Sequence, residues 1–178
     1  MFSSLDASRL LGVAPEFHKP SLTFRALSID TRTLNPGDLF VAFKGAQCDG
    51  HDFLAAAFEK GASGAIIDKK QREAALTQLR AAKATVYNLI PVTDPQAAMT
   101  SLAVGYRKTL PVRIIGITGS VGKTTTKEFL YYLLRQKHKV LATAGNLNNH
   151  LGVPIMLSRL EPSHQFCVME MGANHPGE

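Results

Sequence analysis

The amino-acid sequence predicts an α/β protein with parallel sheets, and two observations support this fold class. First, short apolar runs with the composition of buried strands alternate along the chain with amphipathic segments of helical period. Second, the β-branched run Val112 to Ile117 is followed by a loop with two glycines and then by a helical pattern from Thr125. This order of strand, glycine loop and helix is typical of α/β folds whose strands run parallel.

The first part of the chain is predicted to form a compact α/β unit, and local signals mark its elements. Leucines at helical spacing followed by Gly12 predict a short helix that ends at this glycine. The turn Asn35 to Asp38 separates two apolar strands, and Asp52 is expected to cap the helix that Gly61 ends. The predicted elements are, in order, helix 4–11, strands 22–29 and 39–43, helix 52–61, strand 65–67 and helix 71–83.

The second part of the chain repeats the alternation of strands and helices. Pro95 follows Asp94 as expected for the first turn of a helix, and Pro111 separates that helix from the next strand. The predicted elements here are strand 85–92, helix 94–109, strand 112–117, helix 125–135, strand 140–142, helix 154–160 and strand 166–169. We place a domain boundary near residue 84. The predicted domains are therefore residues 1–84 and 85–178.

The glycine loop has the composition of a phosphate-binding loop, with a glycine-rich turn that binds nothing as the alternative. Unpaired N–H groups and the positive end of the helix dipole favour an anion at the start of the following helix. We expect Lys123 to contact the β and γ phosphates of a bound nucleotide, and the Thr124 hydroxyl to hold Mg²⁺. Five residues rather than the usual four separate Gly116 from Gly122, so the functional core begins at Thr118. The candidate phosphate-binding residues are Thr118, Gly119, Ser120, Val121, Gly122, Lys123, Thr124 and Thr125.

A second candidate metal ligand lies at the end of the last predicted strand, where the apolar run Phe166 to Met169 is followed by Glu170. A carboxylate at the tip of a buried strand is costly unless it is paired or bound to a metal. In phosphate-loop proteins an acidic residue on a neighbouring strand supplies the second Mg²⁺ ligand. We therefore predict that Thr124 and Glu170 bind Mg²⁺ together.

Two polar loops of the first unit are candidates for binding a substrate. Loops 28–32 and 44–51 both follow strands, and the loops at the carboxyl ends of parallel strands meet at one edge of a sheet. The alternative is that Asp30 and Arg32 form a weak surface ion pair and that His51 caps a turn.

A third polar loop, residues 144–152, follows the short strand 140–142. It contains three asparagines and a histidine between two glycines. Such a loop suits recognition of a polar ligand, although an asparagine-rich turn has the same composition.

The composition limits the classes of function. A net charge of +6 and a pI near 9.5 favour anionic partners, but the basic residues are scattered, so small phosphorylated ligands are expected rather than nucleic acid. The two cysteines, Cys48 and Cys167, lie far apart, which fits a reducing compartment. The sequence shows neither a signal peptide nor an apolar stretch of membrane-spanning length, so we predict a cytoplasmic protein without a membrane partner.

Five motifs taken together resemble the Mur ligase family. The first two resemble its uridine-nucleotide-binding domain, and the third resembles its ATP loop, including the longer glycine spacing. The last two favour the branch that adds D-alanyl-D-alanine over the sister branch that adds the third amino acid. The motifs are Ser28 to Arg32 with Pro36 to Gly45, Asp49 to Phe53, Gly116 to Glu128, Gly145 to Pro154 and Met169 to Glu178.

The resemblance implies an ATP-dependent ligase of peptidoglycan precursor synthesis. The carboxylate of UDP-N-acetylmuramoyl-tripeptide would take the γ-phosphoryl group of ATP, and the amine of D-alanyl-D-alanine would attack the resulting acyl phosphate. ATP and Mg²⁺ are the implied cofactors, with ATP bound by the loop 118–125, and no obligate protein partner is evident. Lys123 and Glu170 are the implied catalytic residues. By similarity, the candidate substrate-binding residues are Ile29, Thr31, Gly45, Ala46, Gln47, Cys48, Asn146, Asn148 and Asn149.

The resemblance also implies a small uridine-nucleotide-binding α/β domain followed by the first part of a P-loop, parallel-sheet ATP-binding domain. Members of the family continue past the position of Glu178, so we expect a truncated chain that is inactive alone. Two alternatives are a non-catalytic module that binds a UDP-sugar and ATP, and the Mur ligase that adds the third amino acid. A third is another member of the superfamily, such as a folylpolyglutamate-type ligase.

Overall fold

The structure, a computed structural model, describes residues 2–13, 16–17, 22–84 and 88–172. It divides into two compact units, Met1–Leu102 and Ala103–Glu178. The division lies later than the boundary predicted near residue 84, because the strand that follows residue 84 pairs within the sheet of the first unit.

The first unit is built on a mostly parallel sheet of five strands. The strands of the whole unit are β1 Phe2–Ser3, β2 Glu16–Phe17, β3 Thr23–Phe24, β4 Leu27–Ser28, β5 Leu39–Val41, β6 Gly64–Asp68 and β7 Asn88–Val92. Its helices are α1 Ser4–Leu11, α2 Leu54–Glu59 and α3 Arg72–Ala81, with short 3₁₀ helices at Gly50–Phe53 and Lys69–Gln71. The sheet has the order β2-β7-β6-β5-β4, in which β4 to β7 run parallel and β2 runs antiparallel to β7. Strands β1 and β3 form a separate antiparallel pair.

The core of this unit forms between the sheet and two helices. All residues of β5 and the first four residues of β6 are buried, as expected for parallel strands that are covered on both faces. Leu54 of α2 and Leu79 of α3 belong to one apolar cluster with Phe40, Ile67 and Leu89 from the strands. This packing holds the carboxyl ends of β4 and β5, where the two polar loops of the unit begin.

Two local predictions for the first unit are wrong. The strand predicted at 22–29 is two short strands, because β3 pairs with β1 whereas β4 pairs with β5. The helix predicted to start at Asp52 begins earlier, as a 3₁₀ helix that Asp49 caps by accepting the His51 N–H. Residues 85–87 of the strand predicted at 85–92 lie outside the described residues.

The second unit contains a three-stranded parallel sheet. Its strands are β8 Arg113–Ile117, β9 Val140–Ala142 and β10 Phe166–Glu170. Helix α4, Pro95–Lys108, crosses the division between the units, and the following helices are α5 Lys123–Leu134 and α6 Gly152–Ser158. The strand order is β8-β10-β9, and Glu170 at the end of the central strand lies opposite Ile117. This register brings the last residue of β10 next to the start of the glycine loop.

The predicted fold class, α/β with parallel sheets, is confirmed. The run Val112 to Ile117 has the β-branched composition of a strand buried on both faces, but this expectation is wrong, since Ile114 and Ile115 are partly exposed. Among the described strands, β8 pairs with β10 and lies at one end of the sheet. Helix α5 also carries exposed apolar side chains, with Phe129 at 67% exposure. Within the described ranges, no helix is both long and apolar enough to cross a membrane.

Candidate functional site

The loop that joins β8 to α5 has the backbone geometry expected of an anion site. Gly119 and Gly122 have φ values of +141° and +80°, which favour glycine, and Gly122 caps the helix. The Thr126 N–H donates to the Gly122 carbonyl at 2.9 Å, as the first hydrogen bond of the helix. The N–H groups of the three helical residues before Thr126 therefore have no acceptor within the helix. Together with the positive end of the helix dipole, they favour an anion at this position.

Lys123 is the first residue of α5, and its ammonium group folds back over the loop. Its Nζ donates a hydrogen bond to the Gly119 carbonyl at 2.5 Å. Val121 at the tip of the loop is 92% exposed, so solvent reaches the loop from outside. The other exposed residues of the predicted loop include Thr118, Ser120 and Thr125. An incoming phosphate would therefore meet a cation that the loop already holds in place.

The Glu170 carboxylate lies beside the start of α5. The Thr124 hydroxyl donates to Glu170 Oε2 at 3.0 Å, and the Asn148 amide donates to Oε1 at 2.9 Å. Glu170 is 4% exposed, and its own N–H donates to the Thr143 hydroxyl at 2.9 Å. The site thus combines side chains from α5, the end of β9, the asparagine-rich loop and β10.

The environment of Glu170 favours its ionised form. Burial raises the pKa of this carboxyl, but hydrogen bonds from Asn148 and Thr124 lower it, as do the positive charges of Lys127 and Lys123. The net result is a pKa of Glu170 below the ordinary value for a glutamate. The group is therefore a carboxylate at neutral pH, and it accepts hydrogen bonds without donating any.

The oxygens of Thr124 and Glu170 fit a magnesium ion. Mg²⁺ prefers octahedral oxygen ligands at roughly 2.0–2.1 Å, so neighbouring ligands lie about 2.9 Å apart. The 3.0 Å between Thr124 Oγ1 and Glu170 Oε2 matches this separation. No group of three or more His, Cys, Asp or Glu side chains that could hold a metal occurs among the described residues. Two protein ligands suit an ion whose remaining positions are filled by phosphate oxygens and water.

The three asparagines of the loop after β9 have different environments. Asn148 holds Glu170 through its amide group. Asn149 Oδ1 accepts the backbone N–H groups of Leu151 and Gly152, at 3.2 and 2.8 Å, so this side chain is bound to the backbone where α6 begins. Asn146 lies exposed in a turn. The structure therefore places only Asn148 of the three in contact with the residues around the phosphate loop.

A separate cavity of about 500 Å³ opens in the first unit, next to residues that follow β4 and β5. Four of the predicted substrate-binding residues line this cavity, and two others lie in the same loop but outside the wall. The lining four are Ile29, Thr31, Gly45 and Cys48, and the other two are Ala46 and Gln47. The two polar loops of the first unit therefore meet at one cavity, as their positions after neighbouring parallel strands predict.

Much of the cavity wall consists of apolar residues. These residues are Phe40, Val41, Phe43 and Phe53. Phe53 is 42% exposed and lies in the 3₁₀ helix that precedes α2. An aromatic wall with polar loops at its edge suits a planar base joined to polar groups. Aromatic residues directly beside a polar strand-end loop are the sequence signal for this wall.

Asp30 and Arg32 form the surface ion pair of the alternative interpretation, and both also line the cavity. Arg32 donates to both carboxylate oxygens of Asp30, with a shortest distance of 2.7 Å. The hydrogen bond from Arg32 lowers the pKa of Asp30. Lys60 Nζ donates to the Thr31 carbonyl at 2.8 Å and so connects this loop to the end of α2. These contacts hold the loop in one conformation at the edge of the cavity.

His51 is buried and has a structural role behind the cavity. Its Nε2 accepts the Asp68 N–H at 3.0 Å, so the ring proton is on Nδ1 and is donated to Asp49 Oδ1 at 2.6 Å. Asp49 Oδ2 also accepts a hydrogen bond from Gln71. Burial raises the pKa of Asp49, but the hydrogen bonds from His51 and Gln71 outweigh it and lower the pKa to about 2. This network connects the cavity loop to the end of β6.

Comparison with known proteins relates both parts of the chain to one family. Residues 23–107 match the sequence profile described as "Mur ligase family, catalytic domain". Residues 117–178 match the profile described as "Mur ligase middle domain". The chain belongs to the Mur ligase family. The first match contains all the residues named as lining the cavity, and the second contains the phosphate loop and Glu170.

Curated relatives of this Mur ligase chain carry one name. The UDP-N-acetylmuramoyl-tripeptide–D-alanyl-D-alanine ligase of Escherichia coli (strain K12) is 41% identical over 163 residues, which cover 92% of this chain and 33% of the relative. The ligase of the same name from Treponema pallidum (strain Nichols) is 38% identical over 161 residues, or 87% of this chain and 34% of the relative. The chain thus spans about a third of the length of these relatives.

Solved structures agree with the sequence comparison. MurF from Acinetobacter baumannii has a TM-score of 0.78 to this Mur ligase chain at 34% identity, covering 99% of this chain and 37% of that one. The MurF ligase of Thermotoga maritima in complex with ADP has a TM-score of 0.66 at 33% identity, covering 86% and 33%. The resemblance to Mur ligases predicted from the five motifs is confirmed.

Proposed function

We propose that this chain forms the UDP-sugar site and the ATP phosphate site of a MurF-type ligase. Such a ligase joins D-alanyl-D-alanine to UDP-N-acetylmuramoyl-tripeptide with the hydrolysis energy of ATP, and its product is a precursor of peptidoglycan. The observation that carries the proposal is the separation of 3.0 Å between the Thr124 hydroxyl and the Glu170 carboxylate, beside Lys123 at the start of α5. The names of the curated relatives support the choice of substrates.

In this proposal the phosphate loop acts by positioning and by stabilising charge. Lys123 would exchange the Gly119 carbonyl for a phosphate oxygen, and the N–H groups at the start of α5 would donate to other phosphate oxygens. Thr124 and Glu170 would hold Mg²⁺, which when bound supplies positive charge to the phosphates. These groups would offset the repulsion between the γ-phosphate and the incoming carboxylate of the tripeptide.

The reaction would then follow in two steps. The tripeptide carboxylate attacks the γ-phosphorus of ATP, ADP leaves, and an acyl phosphate forms. The amine of D-alanyl-D-alanine attacks the acyl carbon, inorganic phosphate leaves, the amine loses a proton, and the amide bond is complete. The first step depends on holding two anions together, which is the task assigned to Lys123 and to the ligands of the metal.

For the first unit we propose binding of the uridine diphosphate part of the substrate. The aromatic wall that includes Phe40 and Phe53 would contact the base, beside Ile29 and Thr31. The loop 45–48 would contact the diphosphate, and Ala46 and Gln47 would take part in these contacts. In the second unit, the predicted positions of Asn146, Asn148 and Asn149 near the phosphates and the muramoyl end of the substrate are part of the same proposal.

Cys48 offers a test of the proposed UDP site. Cys48 is exposed and lines the cavity, whereas Cys167 is buried and its pKa is raised by burial to about 11. A thiol reagent such as iodoacetamide should therefore label Cys48 selectively. We expect saturating UDP-N-acetylmuramoyl-tripeptide to slow this labelling at least about fivefold, because a site that is mostly occupied excludes the reagent. Mass spectrometry of tryptic peptides measures the rate at each cysteine.

The controls for this experiment separate the alternative functions. Cys48→Ser should abolish the labelling, which confirms its position. ATP with Mg²⁺ should leave the labelling rate unchanged, and so should folate, the ligand class of the folylpolyglutamate-type alternative. Protection by folate, or protection by ATP equal to that by the UDP-sugar, would contradict the proposal. The presence of both Lys123 and Glu170 at one site favours a ligase over a non-catalytic module.

A further inference from the structure

Lys127 is a buried lysine on α5 to which the proposed mechanism assigns no role. It follows Lys123 by four residues, so it lies one turn further along the same face of the helix. Lys127 is 4% exposed, and lysine is almost never buried to this degree without partners. Its partners therefore indicate what the residue does.

The ammonium group of Lys127 has two partners in the structure. Its Nζ donates to the backbone carbonyl of Thr143 at 3.0 Å and pairs with Glu128 Oε1 at 2.9 Å. Glu128 is about half exposed, whereas Thr143 is buried. The bond to Thr143 is thus the interior contact of the two. It connects α5 to the end of β9.

Thr143 joins the ends of β9 and β10. Its N–H donates to the Val168 carbonyl at 3.0 Å, and its hydroxyl accepts the Glu170 N–H at 2.9 Å. Lys127 donates to the Thr143 carbonyl. All three hydrogen-bonding groups of Thr143, its N–H, its carbonyl and its hydroxyl, therefore make hydrogen bonds. The orientation of Glu170 at the end of β10 therefore depends on Thr143, and through Thr143 on Lys127.

We propose that Lys127 is a positioning residue for the metal site: it holds the Thr143 carbonyl, and Thr143 orients Glu170, the proposed ligand of Mg²⁺. This inference rests on the proposed function, because that proposal makes Glu170 a metal ligand. The two lysines of α5 then have separate tasks. Lys123 contacts the nucleotide, whereas Lys127 prepares the metal ligand without touching the nucleotide.

Titration of the protein with ADP by calorimetry, in Mg²⁺ and in EDTA, tests this role. In the wild-type protein we expect Mg²⁺ to strengthen ADP binding. Lys127→Met keeps most of the aliphatic side chain and removes the ammonium group. The Mg²⁺ effect is the ratio of the ADP affinity in Mg²⁺ to that in EDTA. We expect this ratio to be at least about tenfold smaller in the variant, as is usual for residues that support metal ligands. Its ADP affinity in EDTA should change by less than about threefold, because Lys127 does not contact the nucleotide.

Two further variants complete the experiment. Glu128→Gln removes the exposed partner of Lys127 and serves as the matched control, which we expect to keep both affinities within about twofold. Thr143→Val keeps the backbone carbonyl and the volume but removes the hydroxyl that accepts the Glu170 N–H. We expect Thr143→Val to show the same selective loss of the Mg²⁺ effect. If circular dichroism shows that Lys127→Met does not fold, Thr143→Val alone tests whether the hydrogen bond to the Glu170 N–H supports the metal site.

Three outcomes would overturn the inference. One is an unchanged Mg²⁺ effect in the folded variants. Another is an equal loss of ADP affinity in Mg²⁺ and in EDTA, which would show that Lys127 only supports the fold. A failure of the proposed function is visible in the wild-type protein itself, as ADP binding that is absent or that Mg²⁺ does not strengthen, and it would overturn the inference as well.

Discussion

Replacing Lys123 by alanine is expected to weaken ATP binding at least about a hundredfold, a loss of roughly 2–3 kcal/mol. The variant loses a charge-assisted contact to the phosphates at the start of α5, where the ammonium group already lies over the loop. The affinity for UDP-N-acetylmuramoyl-tripeptide should change by less than about threefold, because the candidate cavity is formed by residues of the first unit. Calorimetric titration with a non-hydrolysable ATP analogue and with the UDP-sugar measures both affinities.

Lys137→Ala is the matched control for Lys123→Ala. Lys137 is an exposed lysine in the turn that follows α5, so its removal changes the net charge equally without changing the loop. We expect its ATP affinity to stay within about twofold of the wild type. Unchanged ATP binding by Lys123→Ala would show that Lys123 does not contact the ATP phosphates. Equal weakening of both ligands would indicate a general loss of structure instead.

The Gly152→Ala variant is expected to lose about 3 kcal/mol of its free energy of unfolding. A Cβ at this position would overlap the backbone of Leu147, and a backbone yields less readily than the end of a side chain. The loop 144–152 would therefore have to move, and with it Asn148, which holds Glu170. We expect the Mg²⁺-dependent part of nucleotide binding to fall together with stability. Urea unfolding followed by circular dichroism measures the change in free energy.

Gly116→Ala provides the matched control for this steric argument. A Cβ at Gly116 would meet the terminal methyl group of Met171, a flexible side chain that is partly exposed and can move aside. We expect this variant to lose less than about 1 kcal/mol. If the two glycine variants lost equal stability, the overlap with Leu147 would not be the cause of the effect.

The phosphate loop and the acid opposite it are predictable from sequence because their signals are local. Lys123 and Thr124 enter the first turn of α5 because Gly119 and Gly122 allow the preceding backbone to take positive φ values. Glu170 is recognisable because it ends an apolar run with the length of a buried strand. The roles of these residues in binding, the cytoplasmic location and the expected lack of nucleic-acid or obligate protein partners stay predictions.

The features that sequence reasoning missed depend on pairing between distant segments. Strand 88–92 completes the first sheet, so the division between the units lies after Leu102 rather than near residue 84. The aromatic cavity wall becomes apparent only when the loops after β4 and β5 are brought together. Lys127 resembles any helical lysine until the end of β9 lies against α5 and supplies the Thr143 carbonyl. Local patterns predict the elements, whereas tertiary packing decides which face of each element is buried.

In the proposed site, a nucleotide phosphate and a divalent ion bind together between the loop 118–125 and Glu170, with Thr124 and Glu170 as ligands of the ion. A crystal structure of the protein with ADP and Mn²⁺ is the decisive experiment, because the anomalous signal of manganese locates the ion. Mn²⁺ accepts the same oxygen ligands as Mg²⁺. We expect an ion on the order of 2 Å from both Thr124 Oγ1 and a Glu170 carboxylate oxygen, with the ADP phosphates against the loop. An ion bound away from both side chains, or ADP bound elsewhere on the protein, would contradict this proposal.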